Sequence, residues 1–444
     1  MLKHFQFKKT IFIILLGAYN FISASNPIIP YVGMADPHIF IFNNKAYLFS
    51  TRDKDSTANK FVMPEWNIWS STNLVDWKHE RTINPTETYM GKSDNCWATD
   101  HAFRNGKYYF YFSNGNVDTG VMIADKPEGP YKDALGKPLL DVSLSSGKEY
   151  DPTVFIDDNK KGYLIYGHFR EKDPKLSYFL VELNDDMISF EKKPERVQIV
   201  GDLNVLMAND KPNLHKRNGI YYLSAGSHYA TSKSIHGPYT RVGSTGDGKN
   251  GLDSRAHGNF FEWNNQWFHT WCHFHFTKEV AHYRESYISY LHYKNNGEMV
   301  TDTTFLAKHF ATGVGQYDAN WDKIEAEWYM EAENTEKREN ENGGFELQKI
   351  SNKSRVYFPN IKNVDKATEI SFSVLPFSSG KIKVYADKNC KQLLASVAIL
   401  KSENPNTYQV IKSSLKNKTN ATGVYLTFQG KGKDIFHLDW IKFN

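Results

Sequence analysis

One sequence pattern occurs five times between residues 36 and 271 and limits the folds that this chain can adopt. Each copy begins with an acidic residue or a histidine and continues as an apolar strand, a polar turn and an aromatic strand. Successive copies start 64, 51, 59 and 47 residues apart. Alternating apolar residues around Asn-Gly or a similar pair indicate a β-hairpin, and hairpins at this interval indicate a repeat architecture. The first residues of the copies are Asp36, Asp100, Asp151, Asp210 and His257.

Further strand patterns lie between the copies, in segments such as 66–77, 123–131 and 232–239. Each repeat therefore holds about four strands, which is the content of one propeller blade. No long helical periodicity interrupts the repeats, so a parallel α/β fold lacks its crossover helices. The sequence predicts an all-β chain that begins with a five-bladed β-propeller over residues 27–320.

The sequence pattern changes near residue 329, and the new pattern continues to residue 444. Short strands alternate there with turns, as in a β-sandwich. We therefore expect a β-sandwich (jelly-roll) domain over residues 329–444.

The first 25 residues have the pattern of a signal peptide. Three lysines precede an apolar run over residues 11–22, and small residues at 23–25 offer a cleavage site. We expect export to the periplasm or the medium and no membrane attachment after cleavage, because no later apolar run approaches the ~18 residues of a spanning helix.

The charge and composition of the chain limit the classes of partner that it can bind. The net charge is only +4, and no basic block indicates a nucleic-acid partner. Aromatic residues make up 15% of the chain, which suits both strands and the stacking of rings on sugars. We expect a monomer that binds a polysaccharide or oligosaccharide.

The repeat gives its first residues a common location. Because the innermost strands of a propeller line its axis, four carboxylates and one imidazole should meet there. Crowded like charges are costly and raise some pKa values, so this cluster indicates a functional site. Glycoside hydrolysis uses one carboxylic acid to protonate the leaving oxygen and one carboxylate to activate water. Metal binding is the competing use of such a cluster.

The repeats resemble glycoside hydrolase family 43 over residues 27–320. The matching segments are 35–37, 97–100, 150–158 and 216–224, together with His257-Gly258 and Arg284. The resemblance implies an inverting mechanism with Asp36 as general base and Asp151 as the carboxylate that modulates the pKa of the acid. It also implies that Arg284 balances the charge of that carboxylate at the substrate site, and that His257 lies beside a structural calcium ion on the axis.

The fourth copy departs from the family pattern. Asp210 stands where the family has a general-acid glutamate, and its side chain is one methylene shorter. Three alternatives follow: Asp210 is the acid, the acid is His257 or Glu285, or hydrolysis is lost and the propeller only binds sugar. A related five-bladed family that acts on anhydro-galactose in algal polysaccharides also departs from the glutamate acid.

The family resemblance implies terminal α-L-arabinofuranosides or β-D-xylosides of plant or algal polysaccharides as substrates, with galactose-type sugars as a further class. Asp100, Trp97, Arg284 and His168 are the candidate substrate-binding residues. Trp97 either stacks on a sugar or packs in the core, and His168 either lines the pocket or is structural.

The C-terminal domain resembles carbohydrate-binding module family 6, through residues 331–333 and 438–441. This resemblance implies a structural calcium ion held by Glu331, Glu333 and Asp439. Calcium is the one cofactor that we expect, and no organic cofactor is indicated. Whether the module binds sugar or serves as a rigid buttress stays open at this point.

Overall fold

A computed structural model describes residues 22–23, 26–54, 60–145, 147–169, 177–201, 210–246, 257–274, 282–404, 406–418 and 420–444, of which 22–23, 145, 168–169 and 177 are described for the backbone alone. The described chain is mostly β-strand, so the predicted all-β class is confirmed. Most of the predicted signal peptide, residues 1–25, lies outside these ranges. Among the described residues, no helix is long and apolar enough to cross a membrane.

Five sheets of four or five strands follow one another along residues 22–301. Their strands are β1 (Ile22–Ser23), β2 (Met34–Phe42), β3 (Lys45–Arg52), β4 (Trp66–Ser71) and β5 (Asp76–Ile83); β6 (Cys96–Arg104), β7 (Lys107–Asn114), β8 (Asp118–Ala124) and β9 (Lys132–Asp133); β10 (Lys148–Ile156), β11 (Gly162–Phe169), β12 (Ser177–Leu183) and β13 (Glu195–Arg196); β14 (Ile199–Val200), β15 (Pro212–Arg217), β16 (Ile220–Ala225), β17 (His228–Ser232) and β18 (Tyr239–Ser244); β19 (Phe260–Trp263), β20 (Gln266–Phe274), β21 (Arg284–Tyr293) and β22 (Met299–Thr301).

Each repeated phrase forms the first hairpin of one sheet. Four of the hairpin turns consist of Asn-Asn or Asn-Gly, at residues 43–44, 105–106, 218–219 and 264–265, and all eight residues have positive φ. A two-residue turn of this kind needs positive φ at both positions, which Asn and Gly tolerate best. The turn residues thus set the register of the strands that carry the site.

Two further sheets make up most of the C-terminal domain, in the orders β26-β27-β35-β30-β33, with β24 attached to β35, and β25-β28-β34-β31-β32. Aliphatic residues from both sheets, such as Val384 and Val374, belong to one buried cluster. The strands are β23 (Tyr317–Asp318), β24 (Ile324–Glu325), β25 (Glu331–Glu333), β26 (Glu336–Glu339), β27 (Phe345–Gln348), β28 (Arg355–Phe358), β29 (Ile361–Lys362), β30 (Glu369–Pro376), β31 (Gly380–Tyr385), β32 (Leu393–Ile399), β33 (Gln409–Ser414), β34 (Val424–Gly430) and β35 (Phe436–Phe443).

The helices are short. They are α1 (Val142–Ser145), α2 (Thr303–His309) and the 3₁₀ turns Pro85–Glu87, Phe310–Thr312 and Ala326–Trp328.

One strand from before the predicted boundary at residue 329 pairs with the C-terminal domain. Ile324 in β24 pairs with Ile441 in β35, so the six-stranded sheet already contains a strand from before that boundary. The domain also contacts the fifth sheet directly: the Gln266 side chain donates to the carbonyl oxygens of Glu327 (2.7 Å) and Tyr329 (2.8 Å). The two parts of the chain are therefore packed against each other.

Candidate active site

Asp36 and Asp151 each lie in a β-bulge on the first strand of a hairpin. The pairing register shifts between residues 35 and 38 and between residues 150 and 153. Both aspartates have left-handed backbone angles, with φ of 50° and 54°. The proline that follows each has no N–H to leave unpaired at the bulge. Because a bulge re-aims its side chain, both carboxylates turn toward one cavity.

That cavity has a volume of about 400 Å³. It brings together six of the predicted site residues, which are drawn from the five sheets. Its lining consists of Asp36, Phe61, Met63, Trp97, Ala98, Asn116, Tyr150, Asp151, Asp210, His257, Phe274 and Arg284.

His257 joins the carboxylates of two sheets. Its Nδ1 atom lies 2.7 Å from Oδ1 of Asp36, and its Nε2 atom lies 2.8 Å from Oδ1 of Asp210. Burial alone would lower the pKa of His257, but the charges of Asp210 and Asp36 outweigh it and hold that pKa well above its ordinary value. The two carboxylates therefore favour the protonated form of His257.

Asp36 is held in its charged form. Nη1 of Arg284 lies 2.7 Å from Oδ1 of Asp36. Burial would raise the pKa of this carboxyl, but Arg284 and His257 outweigh burial and hold it well below its usual range. The carboxylate is 1% exposed and borders the cavity, so it can accept a proton from a molecule bound there.

Asp53 orients Arg284, and the sequence did not identify it. Its two carboxylate oxygens accept from Nε and Nη2 of Arg284, both at 2.9 Å. This fork fixes the plane of the guanidinium group and leaves Nη1 for Asp36. The arginine thus balances the first-sheet carboxylate Asp36, not Asp151 as the family resemblance implied.

Asp151 and Asp210 form a pair of carboxyl groups. Burial first, and then the charges of Asp210 and Asp36, raise the pKa of Asp151. The pKa of Asp210 is lowered, because His257 outweighs the effect of burial. Two carboxyl groups that share a site retain one proton between them. Asp151 is 1% exposed, whereas the side chain of Asp210 is 33% exposed, so Asp210 is the member that opens onto the cavity.

Ser113 holds Asp151 in place and was also missed from the sequence. The backbone N–H of Asp151 donates to Oγ of Ser113 at 2.6 Å, and that hydroxyl lies 3.3 Å from Oδ1 of Asp151. A serine at the end of a strand carries no pattern that would mark it as part of a site.

The remaining predicted site residues have different outcomes. Trp97 lines the cavity, edge-on to Phe61 with ring centroids 5.8 Å apart. Asp100 does not line it: its carboxylate is buried and paired with Lys211, so we correct its assignment from substrate contact to internal ion pair. His168 lies in β11, and its side chain is outside the described residues. Glu285 accepts from the backbone N–H of Tyr31 and is not part of the lining, which removes it as a candidate acid.

Asp151, Asp210 and His257 form the one metal-ligand group found among the described residues, with ligand atoms within 4.8 Å of one another. The two ring nitrogens of His257 lie 2.7 and 2.8 Å from carboxylate oxygens, but Nδ1 of His257 and the buried Oδ2 of Asp151 have no hydrogen-bond partner among the described residues. The calcium ion beside His257 stays a prediction, and these are the residues that would hold it.

The predicted calcium ligands of the C-terminal domain are not assembled as expected. Glu331 pairs with Lys388, and Glu333 lies 3.9 Å from Arg355, both on the five-stranded sheet. Asp439 lies on β35, in the other sheet. Asp439 borders a second cavity, of about 290 Å³, which is also lined by Glu325, Glu327, Glu339 and two lysines. One of them, Lys323, lies 2.9 Å from Glu325.

Glu327 is the buried member of that acidic group. Its Oε2 atom has no hydrogen-bond partner. Burial, followed by the charges of Asp302 and Glu325, raises its pKa well above the ordinary value. An unpartnered buried oxygen beside further carboxylates is suited to a hard cation such as calcium.

Comparison with known proteins gives two family matches. The model of glycosyl hydrolases family 43 matches residues 24–305, and that of carbohydrate binding module family 6 matches residues 325–444. An arabinoxylan arabinofuranohydrolase from Paenibacillus polymyxa is 25% identical over 94% of this chain and 73% of its own length. One from Bacillus subtilis is 26% identical over 95% of this chain and 93% of its own length.

A solved structure shares the fold. It is a crystal structure of a family 43 arabinoxylan arabinofuranohydrolase from Bacillus subtilis in complex with cellotetraose, with a TM-score of 0.53 and 22% identity. The match covers 94% of this chain and 97% of that one.

Proposed function

The chain belongs to glycosyl hydrolases family 43 and continues into a family 6 carbohydrate binding module, and from this premise we propose that it is an exported, inverting, exo-acting glycosidase. The proposed substrates are terminal α-L-arabinofuranosyl or β-D-xylosyl units of plant or algal polysaccharides, with galactose-type units as a further class. The chain's similarity to two arabinoxylan arabinofuranohydrolases supports the pentose assignment. The cavity of about 400 Å³ is near the lower end of ligand pockets, which favours a chain end over a long internal segment.

We interpret the five sheets as the five blades of a propeller, with the cavity at one end of its axis. In the same way we interpret the two C-terminal sheets as the faces of a sandwich. The first interpretation agrees with the convergence of side chains from several sheets on the cavity, and the second agrees with the one buried cluster to which both C-terminal sheets contribute.

The main support for the mechanistic proposal is that Asp36 and Asp210 contact different ring nitrogens of His257. Oxygen atoms bound to the two nitrogens of an imidazole lie at most about 7.5 Å apart. Inverting enzymes separate their carboxyl groups by roughly 6.5–9.5 Å, so that a water molecule fits beside the sugar. Asp36 is the general base in this proposal: it removes a proton from that water as the water attacks the anomeric carbon.

Asp210 is the proposed general acid. The pKa of Asp151 is raised and that of Asp210 is lowered, so the resting proton of the pair lies on Asp151 in this proposal, and Asp210 delivers it because its side chain is the one exposed to the cavity. Asp151 keeps the pair protonated because its charged form is penalised by burial. His257 is less suited to this step, because both of its nitrogens contact carboxylates. The proton moves from Asp210 to the glycosidic oxygen as the bond to the leaving group breaks.

Sugar release tests the proposal. The full chain is incubated with nitrophenyl α-L-arabinofuranoside, β-D-xyloside and galactosides, and with arabinoxylan and red-algal polysaccharides. We expect one class of terminal sugar to be released as a monosaccharide. Retention on a polysaccharide affinity gel without any release would instead identify a sugar-binding propeller.

We also propose that the unpartnered carboxylate of Glu327, together with that of Asp439, holds a structural calcium ion in the C-terminal module. An ion that binds only the folded state stabilises it by about 2.7 kcal/mol at a hundredfold excess over its dissociation constant. We expect chelation to lower the melting temperature of the full chain by at least about 3 °C, and calcium to restore it.

The Glu327→Gln variant provides the matched comparison, because glutamine keeps the shape and removes the charge. Its melting temperature should not change on chelation. If chelation also leaves the melting temperature of the wild type unchanged, the module holds no structural calcium.

A further inference from the structure

The charged side chains that line the active-site cavity contact one another. The ring nitrogens of His257 lie beside Asp36 and Asp210, and Nη1 of Arg284 lies beside Asp36. These groups hold each other in place and carry the proposed chemistry. A pocket also needs a few polar groups that orient its ligand, and a sugar offers mainly hydroxyl groups for this purpose. The lining contains one carboxamide that suits this task, that of Asn116.

The side chain of Asn116 has no internal partner. The residue lines the cavity and is half-buried. Within the part of the chain that the structure describes, its carboxamide makes no hydrogen bond to another residue. A carboxamide carries two donor protons and an acceptor oxygen, and groups of this kind are usually bonded inside a protein. A sugar hydroxyl can replace the water that such an amide otherwise binds.

A short turn holds Asn116 in place. Residues 115–117 connect β7 to β8. The backbone N–H of Gly115 donates to the carbonyl oxygen of Asn95 at 2.8 Å, and the carbonyl oxygen of Val117 accepts from the backbone N–H of Glu149 at 3.3 Å. The turn is thus fixed from both sides, by the segment that leads into the second sheet and by the first strand of the third.

Both anchoring residues are close in sequence to other residues of the lining. Asn95 is two residues before Trp97, and Glu149 is two residues before Asp151. The register of β6 shifts between residues 96 and 99, and that of β10 shifts between residues 150 and 153. Each segment therefore bulges where its lining residue stands. The turn ties Asn116 to the aromatic ring of Trp97 on one side and to the carboxyl pair on the other.

A neutral amide suits the recognition of hydroxyl groups at this place. A sugar hydroxyl can donate one hydrogen bond and accept others, and a carboxamide can also do both. An amide adds no charge beside Asp151 and Asp210, whose pKa values depend on the charges around them. Asn116 can therefore bind the sugar without disturbing the proposed acid.

We propose that Asn116 is a specificity-determining residue, and that its carboxamide binds a ring hydroxyl of the terminal sugar, at C2 or C3. Arabinofuranosides, xylosides and galactosides all carry both hydroxyls, so the assignment holds for each proposed substrate class. A sugar that lacks the bound hydroxyl leaves the amide without its partner, which lowers the rate. The inference rests on the proposed glycosidase function and deepens it, because the site then selects terminal sugars that are unsubstituted at that hydroxyl.

Two variants of the full chain remove the amide: Asn116→Ala and Asn116→Leu. Leucine keeps the branched shape of asparagine and forms no hydrogen bond. The backbone of Asn116 does not have a positive φ, so both residues fit the turn. Because the amide makes no internal hydrogen bond, the melting temperature should change by less than about 2 °C.

Asn159→Ala is the control. Asn159 is an exposed asparagine in the turn between β10 and β11, where its Oδ1 atom accepts from the backbone N–H of Lys161 at 2.9 Å. It does not belong to the cavity lining. Its kcat/KM should equal that of the wild type on every substrate.

A comparison of substrates identifies the hydroxyl that Asn116 binds. On the nitrophenyl glycoside that the wild type hydrolyses fastest, kcat/KM should fall at least about fivefold in both Asn116 variants. The 2-deoxy and 3-deoxy analogues of that glycoside are measured in the same way, with the enzyme-free rate subtracted. On the analogue that lacks the bound hydroxyl, the variants and the wild type should differ by less than about twofold. Equal losses on the parent and both analogues, or wild-type kcat/KM on the parent, would overturn the proposal.

Calorimetry with L-arabinose, D-xylose and D-galactose separates the role of Asn116 from the proposed function. The wild type should bind at least one of these sugars, and Asn116→Ala should bind it at least about fivefold more weakly. If no glycoside is hydrolysed, the proposed function fails and this titration decides the role of Asn116. Equal affinities of the wild type and the variant, or no binding of any of the three sugars, would then overturn that role.

Discussion

The Asp36→Asn variant is expected to lose at least about a thousandfold in kcat on the best glycoside, with a small change in KM. General-base catalysis contributes about 10²–10⁴ in rate, and an amide cannot accept the proton of the attacking water. The fold should persist, because asparagine has the same shape and Arg284 keeps both of its bonds to Asp53. Initial rates and a melting curve of the purified variant give the measurement.

Asp158→Asn is the control for this variant. Asp158 lies in the turn between β10 and β11, in the hairpin that carries Asp151. Its side chain is 85% exposed and pairs with Lys216 at 2.9 Å. Its kcat should equal that of the wild type. An Asp36→Asn variant with more than a tenth of wild-type activity would remove Asp36 as the base.

The Asp210→Asn variant should show a loss that depends on the leaving group. With a sugar as leaving group, kcat should fall by about 10²–10⁴, because the glycosidic oxygen must be protonated as the bond breaks. With 2,4-dinitrophenolate as leaving group the loss should be less than about tenfold, since this anion departs without a proton. Comparing the two substrates on one enzyme preparation separates the acid role from a folding defect.

Asp185→Asn is the matched control, because the side chain of Asp185 is 91% exposed and pairs only with Arg104 among the described contacts of its carboxylate. Equal losses of the Asp210→Asn variant on both substrates would contradict the acid role. Leaving-group dependence in a His257→Gln variant, but not in Asp210→Asn, would transfer the acid role to the imidazole.

The convergence of the site residues could be predicted from the sequence because it follows from the repeat. Asp36, Asp151, Asp210 and His257 occupy equivalent positions in the repeats and line one cavity, whereas Asp100, at the same position of the second repeat, does not. The bulges that aim the two buried aspartates were not predicted. They depend on the left-handed backbone of an Asp-Pro pair, which the sequence alone does not distinguish from a turn.

The contacts that orient the site are long-range and could not be predicted. Asp53 and Arg284 are 231 residues apart, and no local pattern links them. Lys211 follows an aspartate in a polar stretch, where a lysine normally extends into solvent. Its burial follows from the acceptors that two other sheets supply.

The sequence could not choose between two candidate calcium segments in the module. The chain contains the triplet Glu-Ala-Glu twice within nine residues, at 325–327 and 331–333. The sequence prediction chose the second triplet, whereas the first lies in the cavity with Asp439. The strand pairing of Ile324 with Ile441 brings the first triplet to the strand of Asp439, and that pairing spans the whole module.

The anomeric configuration of the first product tests the central claim most directly. Hydrolysis of an aryl α-L-arabinofuranoside, or of whichever glycoside is turned over fastest, is followed by proton NMR from the first minute, before mutarotation equalises the anomers. The arrangement of Asp36 and Asp210 predicts that the first sugar has the anomeric configuration opposite to that of the substrate. A first product with the configuration of the substrate would contradict the proposed base, acid and attacking water together.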